Sequence, residues 1–260
     1  MKHPLIGAWT EFEAADAPFV LPGDEALLKD KERPGFVVYR SLAEYASSAA
    51  FGSANDRRLH LGLRPIPFAG PVDDARVYLL MLNPGLSPGD YFAEWHHSSY
   101  AAAAAQNLKG ARPFLFLDPE FAWHPGFAYW HGKLAAVIRA LSTSTGLGHA
   151  EVLRRVARKI CLLQLLPYHS PTFGVSRQVL QRLWSCQLVK DFVAEVLVPR
   201  ARAGGALIVV ARHAAFWNVP SDCKPVVYAG AATRAAHLTP KSDGGARILK
   251  VLLAQIEDTV

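Results

Sequence analysis

Two short polar turns carry residue types that could do chemistry. The first, Leu82 to Gly89, reads LNPGLSPG. Pro84 fixes its φ near −65°, and Gly85 permits positive φ. Asn83, which precedes a proline, is biased towards extended backbone. Such a turn holds the Asn83 amide in one place and leaves backbone N–H groups pointing outward. It suits water positioning or anion binding. The alternative is a loop in which Asn83 bonds its own backbone. The second turn, His237 to Ser242, reads HLTPKS. His237 could donate a hydrogen bond to developing negative charge. The alternative is a structural histidine, with Ser242 or Asp243 capping the last helix. A third candidate is Gln164, within LLQLLPYHS. A polar side chain in so apolar a run needs a partner, either the protein's own or a ligand.

These residues need elements to position them. Four almost continuously apolar runs stand out: RVYLLML (76–82), ICLLQLL (160–166), ALIVVA (206–211) and PVVYA (225–229). Such runs fit strands buried on both faces of a parallel sheet. Leu134, Val137, Ile138 and Leu141 recur at helical spacing. SRQVLQRLWSCQLVKDFVAEVL predicts one long helix stopping near Pro199, and RILKVLLAQI a closing helix. Ala101 to Ala105 and the stretches ALLKDKE and SLAEYASSAA read as helical, and FVVYR as a strand. Strands alternating with helices predict an α/β sandwich around a central four-stranded, mainly parallel sheet. Residues 1–70 read as an N-terminal elaboration packed on a core domain, 71–260. Ligands of open α/β sheets sit beyond the carboxyl ends of the strands. Asn83 follows the first run, Pro167-Tyr168-His169 the second, and TRAAHLTPKS comes after the fourth.

Taken together, the two turns resemble the paired motifs of the uracil-DNA glycosylase superfamily. LNPGLS is similar to the Asn-Pro-Gly water-positioning motif of its mismatch-specific and single-strand-selective branches. HLTPKS is similar to the His-Pro-Ser-Pro-x-Ser motif, keeping His237, Pro240 and Ser242, with Leu238 and Thr239 as replacements. The resemblance covers the organisation of roughly residues 70–255, with sharp identity confined to these two pieces. PYHS, Pro167 to Ser170, also resembles a segment that follows the middle strand in a bacterial branch with this fold.

The resemblance implies a three-layer α/β/α sandwich of the uracil-DNA glycosylase-like fold. It implies a DNA base-excision N-glycosylase for uracil or another damaged or mismatched base, with water attacking C1′ of a base extruded from its stack. Asn83 and His237 would be catalytic, Asn83 holding the water and His237 stabilising charge on the departing base. Trp95, with Tyr91 and Phe92 as competitors, would stack on the base. Gln164 would read the base, or be structural. Pro84, Gly85, Tyr168, His169, Thr239 and Ser242 would complete the substrate site. Lys241, Arg247 and Arg234 would track the DNA backbone. No metal or other cofactor is expected, and the four cysteines of the iron–sulfur branches are missing. Two departures bear on activity. Met81 stands where the family has a glycine that lets the backbone approach closely, so a side chain alters or fills the pocket there. Lys241 stands where some members insert a wedge into the duplex, and a cation prefers phosphate to a base step. The rival readings are a catalytically inactive protein of this fold that binds nucleic acid or nucleotides, and a small-molecule N-glycoside hydrolase.

Bulk composition is consistent with these readings. The 260 residues are 51% hydrophobic and 19% charged, which permits a substantial core and opposes disorder. A net charge of +6 is compatible with a polyanionic partner, single- or double-stranded DNA here. In HAEVLRRVARK, Leu153, Val156, Ala157 and Ile160 form one helical face, with Arg154, Arg155, Arg158 and Lys159 opposite. That cationic stripe is either a phosphate track or a solvated face. Aromatic residues are dense between Tyr91 and Trp130 and read mainly as core. Cys161, Cys186 and Cys223 form no CxxC and read as buried free thiols. With no signal-peptide pattern and no membrane-length apolar run, a soluble cytoplasmic monomer is expected.

Overall fold

The computed structural model describes residues 3–12, 16–29, 35–228 and 238–257. The chain is α/β, and its residues fall into two compact units, each assembled from three separated stretches. The first comprises Met1–Phe68, Leu82–Lys109 and Gln164–Phe192; the second comprises Ala69–Met81, Gly110–Leu163 and Val193–Val260.

The strands are β1 (Phe36–Val37), β2 (Leu59–His60), β3 (Phe68–Ala69), β4 (Val77–Met81), β5 (Ile160–Gln164), β6 (Leu207–Val210) and β7 (Val226–Val227). The four expected runs became β4 to β7. Every residue of β4, β5 and β6 is buried, which is why those runs are apolar on both faces. β4, β6 and β7 are mutually parallel, with Val77 opposite Leu207, Leu80 opposite Val210, and Val209 opposite Val226.

The sheet has five strands rather than the expected four, in the order β3-β5-β4-β6-β7. Pro67 accepts the Gln164 N–H at 2.9 Å, while Gly70 lies against Ile160. β3 therefore runs opposite to β5, and the sheet is mixed. Gly70 has φ +108° and faces the Ile160 carbonyl so closely that any Cβ would collide with it.

In the first unit β1 and β2 pair in parallel. Its helices are α1 (Pro4–Thr10), α2 (Glu25–Lys29), α3 (Leu42–Ala46), α4 (Pro88–His96), α5 (Ser98–Asn107), α8 (Arg177–Arg182) and α9 (Trp184–Phe192). α4 packs on α3 and α5, and α9 on α1. The second unit holds α6 (Pro125–Thr145), α7 (His149–Ala157), α10 (Val198–Arg202), α11 (Ala214–Trp217) and α12 (Asp243–Glu257). α6 buries Leu134, Val137, Ile138 and Leu141 and packs on α7 and α12; α12 also covers β6.

The single helix expected over 176–197 is broken. The chain leaves helical geometry at Leu183, resumes as α9, and passes through a π-helical turn, Val193–Leu197, into α10. Pro199 does not stop it, because proline in a first turn has no intrahelical N–H bond to lose. Ile160, read both as the end of the apolar face of α7 and as the start of the run 160–166, opens β5. Among the described residues no helix is long and apolar enough to cross a membrane.

Candidate functional site

The Asn-Pro-Gly turn leaves the carboxyl end of β4 and enters α4. Asn83 is half-buried. Its Nδ2 donates to the Pro84 carbonyl at 2.8 Å and to Ser170 Oγ at 2.9 Å, and lies 3.4 Å from the Tyr168 carbonyl. The local backbone bond of the structural alternative is thus present, and a long-range one accompanies it. Among the described residues every hydrogen bond of this amide leaves from Nδ2. The Oδ1 is therefore fixed in direction with its lone pairs unspent.

The segment after β5 clamps this turn. Leu166 N–H donates to the Leu82 carbonyl at 2.9 Å, and Ser170 N–H lies 3.4 Å from the Pro84 carbonyl. The His169 ring bridges two carbonyls, Nδ1 lying 2.9 Å from Gly85 O and Nε2 3.1 Å from Arg64 O. His169 and Ser170 are buried. Met81 and Leu82, before the turn, are buried as well. At the start of α4 the Asp90 carboxylate folds back, accepting from the Ser87 N–H at 2.7 Å and the Ser87 hydroxyl at 3.0 Å.

Two of the aromatic residues expected at the substrate are spent on the interior. Tyr91 is fully buried and stacks on Tyr45 with ring centroids 4.6 Å apart. Its hydroxyl lies 3.1 Å from His60 Nδ1, and His60 Nε2 lies 3.3 Å from Asp56 Oδ2. Tyr168 is buried too; its hydroxyl donates to Asp24 at 2.7 Å and accepts from the Leu21 N–H at 3.2 Å. Neither can face a base, because desolvating their hydroxyls requires the partners they already have. Trp95 is half-buried against the cluster of Tyr45, Ala50, Leu63 and Tyr91. Phe92 is 42% exposed on α4, where it stacks on His96. Gln164 is 5% exposed, and its Oε1 has no hydrogen-bond partner among the described residues.

Electrostatics sharpen the group formed by Asp56, His60 and Tyr91. Burial pushes His60 down, against the pull of Asp56, to a pKa of about 4. Burial pushes Asp56 up, but hydrogen bonds and charge from Arg58 outweigh it and hold the carboxyl at about 2. His60 is accordingly neutral at pH 7, donating through Nε2 to Asp56 and accepting the Tyr91 hydroxyl at Nδ1. Burial also pushes the Glu94 carboxyl up, against its ion pair with Arg64.

The second polar turn divides differently. His237 and Arg234 lie outside the described residues. Ser242 acts as a helix cap: its Oγ accepts the Gly245 N–H at 3.1 Å and donates to the Thr239 carbonyl at 2.8 Å. Thr239 is half-buried and Lys241 exposed. Arg247 donates to the Lys224 carbonyl at 2.5 Å. On α7, Arg154 and Arg155 both pair with Glu151, which neutralises part of the cationic stripe. The three cysteines are free and buried, as expected.

Sequence reasoning did not find Asp24, Asp56, His60 or Ser170. The available signals were the spacing in DRRLH, which sets Asp56 and His60 four residues apart, and the serine that closes PYHS. Comparison of the chain with protein-family models, curated proteins and solved structures finds no match.

Proposed function

We propose that the chain is a DNA N-glycosylase of uracil-DNA glycosylase-like architecture, a three-layer α/β/α sandwich whose parallel strands present Asn83 at their carboxyl end. A water accepted by Asn83 Oδ1 attacks the sugar C1′. The N-glycosidic bond breaks, its electron pair leaves with the base, the attacking water gives up one proton to solvent to leave a C1′ hydroxyl, and His237 donates a hydrogen bond to the departing base oxygen. Gln164, buried with an unsatisfied carbonyl oxygen, reads an N–H of the extruded base. Phe92 or Trp95 supplies the stacking surface, and Lys241 contacts phosphate.

The observation that carries this reading is the Asn83 amide, pinned through Nδ2 by Ser170 and the Pro84 carbonyl so that Oδ1 alone is left to hold a nucleophile. The test is incubation with single- and double-stranded oligonucleotides carrying uracil, mismatched thymine or deaminated purines, scored for abasic sites. Abasic product should form and should fall on the order of 100-fold or more in Asn83→Ala, a loss far larger than the roughly 1–3 kcal/mol of stability that the lost amide bonds represent in a variant that still folds. Product that persists in Asn83→Ala overturns the role of the amide.

Met81 favours a second reading. Its buried side chain stands in place of the family's glycine, which suits a protein that binds nucleic acid or nucleotides without cleaving them. Salt-sensitive oligonucleotide binding with no abasic product selects that alternative.

A further inference from the structure

A pair of histidines in the second unit is untouched by this chemistry. His131 lies in α6, and His149 is the first residue of α7. Their rings cross at 74° with centroids 5.3 Å apart, and the two Nε2 atoms approach to 3.1 Å. The Phe127 ring, one turn earlier on α6, stacks on His131 at 5.4 Å and 9°, which sets the plane of that imidazole. His131 is half-buried and His149 exposed.

We propose that His131 and His149 form a two-imidazole site for a divalent late first-row transition metal ion, with Zn2+ as the probe. With metal–nitrogen bonds of about 2.0–2.1 Å, nitrogens 3.1 Å apart subtend about 100° at the metal. That angle lies between the square and tetrahedral values, so the nitrogen separation suits a common ion; the rings lie nearly end-on, and each must tilt to turn its lone pair towards that ion. Imidazole nitrogen is a favoured donor for Zn2+, Ni2+ and Cu2+. Among the described residues no group of three or more His, Cys, Asp or Glu could hold a metal, so water completes the coordination. Without an ion, one ring must donate its Nε2–H to the other. With an ion, both rings carry their proton on Nδ1 and the metal replaces the shared hydrogen. The ion would tie the first turn of α7 to α6.

Isothermal titration of the whole chain with Zn2+ at pH 7.5 tests this. One ion per chain is expected, with a dissociation constant on the order of 10 μM and a matching rise in melting temperature by ligand linkage. Affinity should fall at least about tenfold in His131→Ala and in His149→Ala, and the double variant should be no weaker than either single one. His149→Gln provides a second exposed-site variant that keeps the helix. No Zn2+ binding by the parent chain, or binding undiminished in both single variants, overturns the proposal.

Discussion

The two units solve the problem of an interior differently. Among the described residues, the buried polar side chains Asp24, Asp56, His60, Asn107, Gln164, His169, Ser170 and Ser185 all belong to the first unit, and His124 belongs to the second. The second unit fills β4 and β6 with Val, Tyr, Leu, Ile and Met. Its few interior polar atoms follow the same economy: the Tyr78 hydroxyl donates to the Val72 carbonyl at 2.6 Å. An apolar interior tolerates repacking, because each contact is non-directional. A polar interior holds atoms in fixed directions, because each donor or acceptor left unmatched costs about 1–3 kcal/mol. The first unit therefore has the kind of interior that can aim the Asn83 amide, and the second the kind that supplies bulk stability.

Substitutions and pH should separate these two roles. The largest effect is expected from Leu162→Asp in β5, where Leu162 is fully buried. An unpaired carboxylate there should remove more than about 4 kcal/mol, read as a collapse of the guanidinium unfolding midpoint. If the chain tolerates it, the second unit is not the stabilising one.

Next comes acid. The unfolded chain protonates His60 near pH 6.5, but the folded chain does so only near 4. Between those values the unfolded state binds the extra proton, so stability falls as pH falls, by roughly 3 kcal/mol across the window. Below it, Asp56, ionised in the fold down to about 2, adds a further loss from about pH 3.8 downward. Urea titrations at a series of pH values should show this slope, and His60→Gln should flatten its upper part. A parent curve flat from pH 6.5 to 4 removes the polar cluster from the account.

The smallest effect is the most discriminating. Ser170→Ala removes one acceptor of the Asn83 amide and should cost about 1 kcal/mol of stability. It should lower abasic-site formation by more than that stability loss explains, since the amide is then free to turn. Equal, minor changes in both would make Ser170 a packing residue only.

The strands were legible because burial on both faces leaves an unbroken apolar run. Each of the four expected ranges contains its observed strand, as 76–82 contains Val77–Met81. β3 was invisible because Pro67 and Gly70 cut its apolar run to Phe68–Ala69, whereas the equally short β1 and β7 lie inside the longer runs FVVYR and PVVYA. The break at Leu183 was hidden for a different reason: SRQVLQRLWSCQLVKDF keeps helical periodicity through the break, and no Gly or Pro punctuates it. At the site, the rigid Asn-Pro-Gly turn was readable from its own residues. The clamp on it was not, because Ser170 and Asn83 are 87 residues apart and only tertiary structure brings them together. Tyr91 and Tyr168 were misread as ligand contacts because an aromatic near a motif looks the same in sequence whether its hydroxyl meets a substrate or, as with Tyr91, an interior histidine.

The backward fold of Asp90 onto Ser87 has a consequence for how a polyanion arrives. Helix beginnings commonly serve as landing pads for phosphate, yet the pad on α4 is already taken by a carboxylate of its own. A phosphate group brought to that turn would meet negative charge. Any polyanion would therefore have to be held by lysine and arginine side chains elsewhere, and the turn ahead of α4 is better suited to an uncharged group.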